Sequence, residues 1–184
     1  MSIASSTVLP AGVWSVDPAY STVGFAVKHL GVATVHGRFT DYAGILEMED
    51  DLAGARASGI VRVTSVDTGD APRDGHLRSD AFFDAAAFPD ITFQSTGMEA
   101  VGDGRLRVTG HLSLHGVTNA ITLDVEGAEV GEDPGHGACA TLRVTGRLSR
   151  RDFRLRFHHA MGAGNKLVDD NVEIALELSV VKQA

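Results

Sequence analysis

Cysteine is almost missing from this chain. Cys139 is the only one in 184 residues, so no intrachain disulfide can form and nothing calls for an oxidising compartment; a cytoplasmic location is expected. Basic residues are also scarce: 16 Lys and Arg face 24 Asp and Glu, a formal charge of −8, which argues against a general nucleic-acid binder or a ligand of anionic membrane surfaces. No run approaches the ~18 apolar residues of a spanning helix, so stable membrane insertion is not expected. Residues 1–12 carry neither a basic n-region nor a continuous apolar h-region and read as a flexible tail, which leaves 13–184 as one domain.

The usual catalytic signatures are lacking too. There is no G-x-S-x-G elbow, and the glycine-rich Met161 to Lys166 has no phosphate-loop spacing, so it reads as a flexible hairpin connection. Of the eight histidines, His111 and His115 would lie roughly 13 Å apart on a strand, too far to share a zinc, and read as surface residues. His158 and His159 would face opposite ways in a strand and share a metal only from a loop. Asp50-Asp51 and Asp169-Asp170 fall in connections, where solvated turns are the ordinary outcome. No catalytic residue, metal ligand or cofactor is expected.

What the chain does have is alternation. Val23, Phe25 and Val27 oppose Thr22, Gly24 and Lys28; Leu106, Val108, Leu112 and Leu114 oppose Arg105, Arg107 and His111; Ile121, Leu123 and Val125, then Ala140, Leu142 and Val144, and finally Val172 to Val180 repeat the scheme. This is the period-two signature of strands dry on one face. Roughly eight strands result, 58–66 among them, while 32–49 is compatible with one bent strand or two. A two-sheet sandwich and a closed barrel both satisfy such a pattern. Hairpin-length spacing, glycines interrupting the apolar faces (Gly24, Gly37, Gly110, Gly146) and a single long excursion favour an all-β antiparallel barrel.

That excursion, 72–95, holds four of the eight phenylalanines, Phe82, Phe83, Phe88 and Phe93. Asp70 offers an N-cap with Pro72 in the first turn, and Leu77, Ala81, Ala85 and Phe88 recur at helical spacing, so a short helical crossover ending at Phe88-Pro89 is expected. Ile91, Phe93 and Ser95 then share one face of a strand. His29 continues the parity of Phe25 and Val27 and serves equally as a satisfied edge histidine or a polar ligand contact. The run 149–159 packs four arginines and two histidines into an acidic protein. It reads as an amphipathic strand with an arginine face, or alternatively as a rim patch for a polar headgroup to which Arg151 and Asp152 would contribute.

Four blocks carry a resemblance: Val16-Asp17-Pro18 with Ser21, Phe25, Val27, Lys28 and His29; His76 to Asp84 with Phe88 to Phe93; Val108 to Leu112 with Gly116-Val117-Thr118; and Arg151-Asp152-Phe153. Together these make the chain resemble the YceI-like, polyisoprenoid-binding family from about Trp14 onward. Two positions depart from the family pattern: Tyr20 stands where a histidine is usual, and Arg154 where a glycine is. The resemblance implies an elongated, lipocalin-like barrel with an isoprenoid lipid in an apolar interior, whether polyprenyl chain, polyprenyl phosphate or quinone, without catalysis. A homodimer is a further implication. The ligand-binding set expected on this reading is Phe25, Val27, His29, Phe39, His76, Leu77, Phe82, Phe83, Phe93, Leu112, Leu114, Leu123, Arg151, Asp152 and Phe153. Two alternatives compete: an enzyme acting on an isoprenoid or other apolar substrate, using His29, His76 or Asp152 as acid or base, and an interaction module whose interior is packed solid.

Overall fold

A computed structural model describes residues 9–29, 31–127, 130–155 and 168–184, together with the backbone of 160–161 and 165–166. The alternating segments become β1 (Gly12–Val16), β2 (Thr22–His29), β3 (Ala33–Phe39), β4 (Tyr42–Met48), β5 (Arg56–Arg62), β6 (Val66–Asp67), β7 (Asp90–Gly102), β8 (Arg105–Leu114), β9 (Val117–Gly127), β10 (Gly131–Asp133), β11 (Gly137–Ser149), β12 (Ala160–Met161), β13 (Asn165–Lys166) and β14 (Val168–Lys182), with α1 (Ala71–Arg78) between β6 and β7. The region 32–49 is therefore two strands. The stretch 58–66 is one strand ending at Arg62, followed by a tight turn over Val63–Ser65.

Eight of these strands, β1, β4, β5, β7, β8, β9, β11 and β14, form a closed antiparallel ring. Closure depends on β14. One side pairs with β11 from Cys139↔Val181 to Ser149↔Asn171, and the other pairs with β1 near its C-terminus and with β2 over its N-terminal part. Since β2 replaces β1 partway along β14, the β2–β3 hairpin, edged by β6, branches away from the ring at one end. Asp17 and Ser21 manage that branch. The Asp17 carboxylate accepts from the Ala19 amide, while the Ser21 hydroxyl donates to the Asp17 carbonyl at 2.6 Å and accepts from the Ser179 amide at 2.9 Å, fixing both strands to β14. The Val16-Asp17-Pro18…Ser21 block thus has a structural role.

Turn chemistry and close approaches shape the wall. His115 and Gly116 both have positive φ, 54° and 72°, the left-handed pair that a two-residue hairpin requires between Leu114 and Val117. Gly37 and Gly110 lie where side chains would collide with the rings of Phe25 and Phe93. There the missing Cβ lets a neighbouring aromatic ring cover the backbone of a curved sheet. On the outer face, arginines pair across strands, Arg143 with Glu177 at 3.0 Å and Arg38 with Asp67 at 3.2 Å.

One expectation about the crossover needs correction. Asp70 does cap α1, accepting from the Arg73 amide at 3.1 Å, but the helix stops at Arg78, ten residues before Phe88. The Ser79 hydroxyl donates to the His76 carbonyl at 2.6 Å, competing with helical bonding, and Asp84 at φ 51° folds 80–88 into successive turns. Those turns place Phe83 and Ala85 against Phe39, Val63, Val66, Leu112 and Leu114 in the core of one barrel end. The opposite end is packed by Leu9, Trp14, Met48, Ala55, Ala140, Leu142 and Val180. Leu9 is buried there and the Trp14 indole donates to the Pro10 carbonyl. A middle layer of Val108, Leu123 and Val144 joins the two ends.

Candidate functional site

Between these layers the barrel encloses a cavity of about 680 Å³, bordered by residues of all three core clusters: Leu9, Met48 and Leu142 at one end, Val108, Leu123 and Val144 in the middle, Phe39, Phe83, Leu112 and Leu114 at the other. The space follows from the strand period. Most inward positions along the wall are aliphatic, and the buried rings of Trp14, Phe39, Phe83 and Phe153 lie in the two end clusters. Its size is within the ~300–1,000 Å³ of small-ligand sites.

Polar groups on the wall are few, and most have a partner. The Tyr42 hydroxyl donates to the Ser21 carbonyl at 2.9 Å; burial raises its pKa, with the Asp17 charge adding to the effect, so the phenol stays neutral. At the end where β2 stops, Lys28, His29, Thr68, Arg73, His76 and Arg150 reach the cavity. Arg73 donates through Nε to the Thr68 hydroxyl at 2.8 Å and through Nη2 to the Thr68 carbonyl at 2.9 Å. Thr68 in turn donates from its amide and hydroxyl to the buried Asp74 carboxylate. Arg150 is 2% exposed and donates to the carbonyls of Leu155, Val168 and Asp169 beside the Asp170 carboxylate. Burial pushes its guanidinium below the ordinary arginine value and Asp170 pulls it back; arginine starts so high that it remains a cation.

Of the expected ligand-binding residues, the structure brings Phe25, Val27, His29, Phe39, His76, Leu77, Phe82, Phe83, Phe93, Leu112, Leu114 and Leu123 to the cavity wall. It does not bring Arg151, Asp152 or Phe153 there. Arg151 pairs on the outside with Asp170 at 2.9 Å, the Asp152 carbonyl accepts from the Asn119 amide, and Phe153 is 1% exposed within the end core. The cause is a local departure from strand geometry: Arg150–Phe153 form a tight turn and Arg154 is left-handed at φ 57°, so period two fails where the arginine face had been expected. Arg154 is thus held in a conformation that glycine adopts at least cost.

The histidine and carboxylate readings also change. His115 is half-buried, its Nδ1 3.1 Å from the Phe153 carbonyl and its ring against Phe88, so it is a satisfied turn histidine. Asp169 and Asp170 belong to β14 and hold Arg150 and Arg151. His158 and His159 lie outside the described residues, and so do 162–164 of the glycine-rich connection, of which β12 and β13 are seen paired. Sequence reasoning missed Lys28, Thr68, Arg73 and Arg150. The available signal was weak: Arg73 and His76 are three apart on α1, which puts them on one helical face. Among the described residues no cluster of three or more His, Cys, Asp or Glu is placed to hold a metal ion, and no helix is long and apolar enough to cross a membrane.

Comparison with known proteins agrees with this architecture. The YceI-like domain model matches residues 14–180. A UPF0312 protein of Vibrio parahaemolyticus is 37% identical over 158 residues, 82% of this chain and 84% of the relative, and protein YceI of Escherichia coli O157:H7 is 36% identical over 138 residues, covering 74% and 72%. Among solved structures, BcnA of Burkholderia cenocepacia superposes with a TM-score of 0.77 at 24% identity, covering 89% of this chain and 98% of that one. A polyisoprenoid binding domain from Saccharophagus degradans superposes with a TM-score of 0.65 at 21% identity, covering 92% and 98%. With the family model spanning nearly the whole barrel and curated relatives above one third identity, the chain belongs to the YceI-like domain family.

Proposed function

We propose that this protein binds and sequesters or carries one isoprenoid chain, such as a polyprenyl alcohol, a polyprenyl phosphate or an isoprenoid quinone, inside the barrel, without transforming it. The observation carrying this reading is the 680 Å³ cavity, which runs from the Leu9–Met48 layer to the phenylalanine-rich crossover along a wall of Val, Ile, Leu, Met and Phe. Water gains little in such a space, whereas each CH₂ removed from water contributes ~0.8 kcal/mol. The Saccharophagus degradans domain of the same fold is described as polyisoprenoid binding, which supports the same guest here. Lone-cysteine usage fits a cytoplasmic carrier.

A chain-length series tests the proposal. Delipidated protein titrated with polyprenols should bind more tightly with each added five-carbon unit, by up to roughly a thousandfold at ~0.8 kcal/mol per carbon, until the cavity is full. After that the affinity should level off. Affinity independent of chain length would defeat the proposal.

A further inference from the structure

The cavity wall holds basic side chains and no acidic ones. Lys28 and His29 come from the end of β2, Arg73 and His76 from α1, and Arg150 from the turn after β11; among the described residues no Asp or Glu lines the cavity. In a chain where acidic residues outnumber basic ones 24 to 16, that bias is the reverse of the composition. All five belong to one end of the barrel. His29 pairs with Val168, whose carbonyl accepts from Arg150, while Leu155, bonded to Arg150, shares a core cluster with Phe83 and Leu77 of the crossover.

Their roles differ. Arg150 is buried and spent on backbone carbonyls, so it contributes field rather than contact. Arg73 and Lys28 are exposed and also border the cavity, so solvent meets the cavity beside them. Arg73 is held in place by Thr68, itself held by buried Asp74, through Nε and Nη2; Nη1 takes no part in those bonds. An oriented guanidinium at the mouth of an apolar tunnel suits an anion on the end of a greasy chain, because charge-assisted bonds to phosphate strengthen where water is partly excluded.

Resting on the isoprenoid reading above, we propose that this end is an anionic headgroup subsite, and that the guest is a polyprenyl phosphate or diphosphate rather than the neutral alcohol or quinone. Arg73 is the principal contact and Lys28 the second.

The test uses the full chain, delipidated, with polyprenyl monophosphate, polyprenol and isoprenoid quinone of equal chain length, measured by native mass spectrometry and by competition. The phosphate should bind about tenfold or more tighter than either neutral lipid, as expected for a charged hydrogen bond, and the preference should shrink as salt rises. In the Arg73→Gln, Lys28→Gln double variant, its fold checked by circular dichroism, the ratio of phosphate to polyprenol affinity should fall toward unity. Arg73→Lys alone should retain part of it. Equal affinities in the unaltered protein, or a preference surviving in the double variant, would overturn the subsite. Displacement of bound polyprenyl phosphate by inorganic phosphate alone would show a site for the free ion and overturn it equally. If no polyprenyl compound binds at all, the isoprenoid reading itself fails, an outcome distinct from a loss of preference.

Discussion

A protein carrying phenylalanine at both Val108 and Leu176 should purify folded and empty. Val108 points inward from β8, Leu176 from β14, and both border the cavity, Val108 within the middle core layer and Leu176 packed against it. Two rings added there would divide the 680 Å³ space into compartments too short for a long chain. In a packed core such enlargement costs ~1–3 kcal/mol by forcing side chains off their rotamers. Here the rings enter existing space, so the melting temperature should fall by only a few degrees. Lipid recovered per protein should drop at least tenfold relative to the unaltered chain. Full lipid occupancy in the double variant would mean that guests do not use the barrel interior.

The second large effect is on stability. Arg150→Met removes a guanidinium that satisfies the carbonyls of Leu155, Val168 and Asp169 and lies 3.4 Å from the Asp170 carboxylate. Methionine fills much of the volume but donates nothing, leaving acceptors stranded at a site where the arginine is 2% exposed. Breaking a buried pair from one side costs ~3–5 kcal/mol, which for a chain of this size lowers Tm by roughly 6–20 °C. Arg151→Gln is the matched comparison. Its side chain is 53% exposed although it meets the same Asp170 at 2.9 Å, and an exposed pair is worth ~1 kcal/mol at most. Thermal denaturation should separate the two variants clearly. A similar small shift for both would show that the buried guanidinium is not what joins the 150–155 turn to β14.

How much of this was legible beforehand depended on whether backbone geometry stayed regular. Strict alternation in 106–114, 121–125 and 140–148 told which side chains point inward, because a strand has no other way to bury one face. It could not say which strands are neighbours: the pairing of β11 and β14 that closes the ring leaves no mark on period two. Helical spacing misled in the crossover, where Leu77, Ala81, Ala85 and Phe88 fit one stripe but Ser79 and the left-handed Asp84 break the helix. The arginine run misled for the same reason. One tight turn and one left-handed residue, Arg154, rotate Arg150 into the core and leave Arg151 outside. The cationic mouth was least visible, since a polar residue on a short helix reads as solvated until the cavity beside it is known.

The most direct measurement is solvent extraction of the purified protein followed by mass spectrometry. A cavity built to exclude water around a long apolar guest should yield an isoprenoid in roughly stoichiometric amount, carrying a phosphate if the mouth acts as argued. Protein that comes through lipid-free and then refuses polyprenyl compounds in titration would contradict the carrier reading.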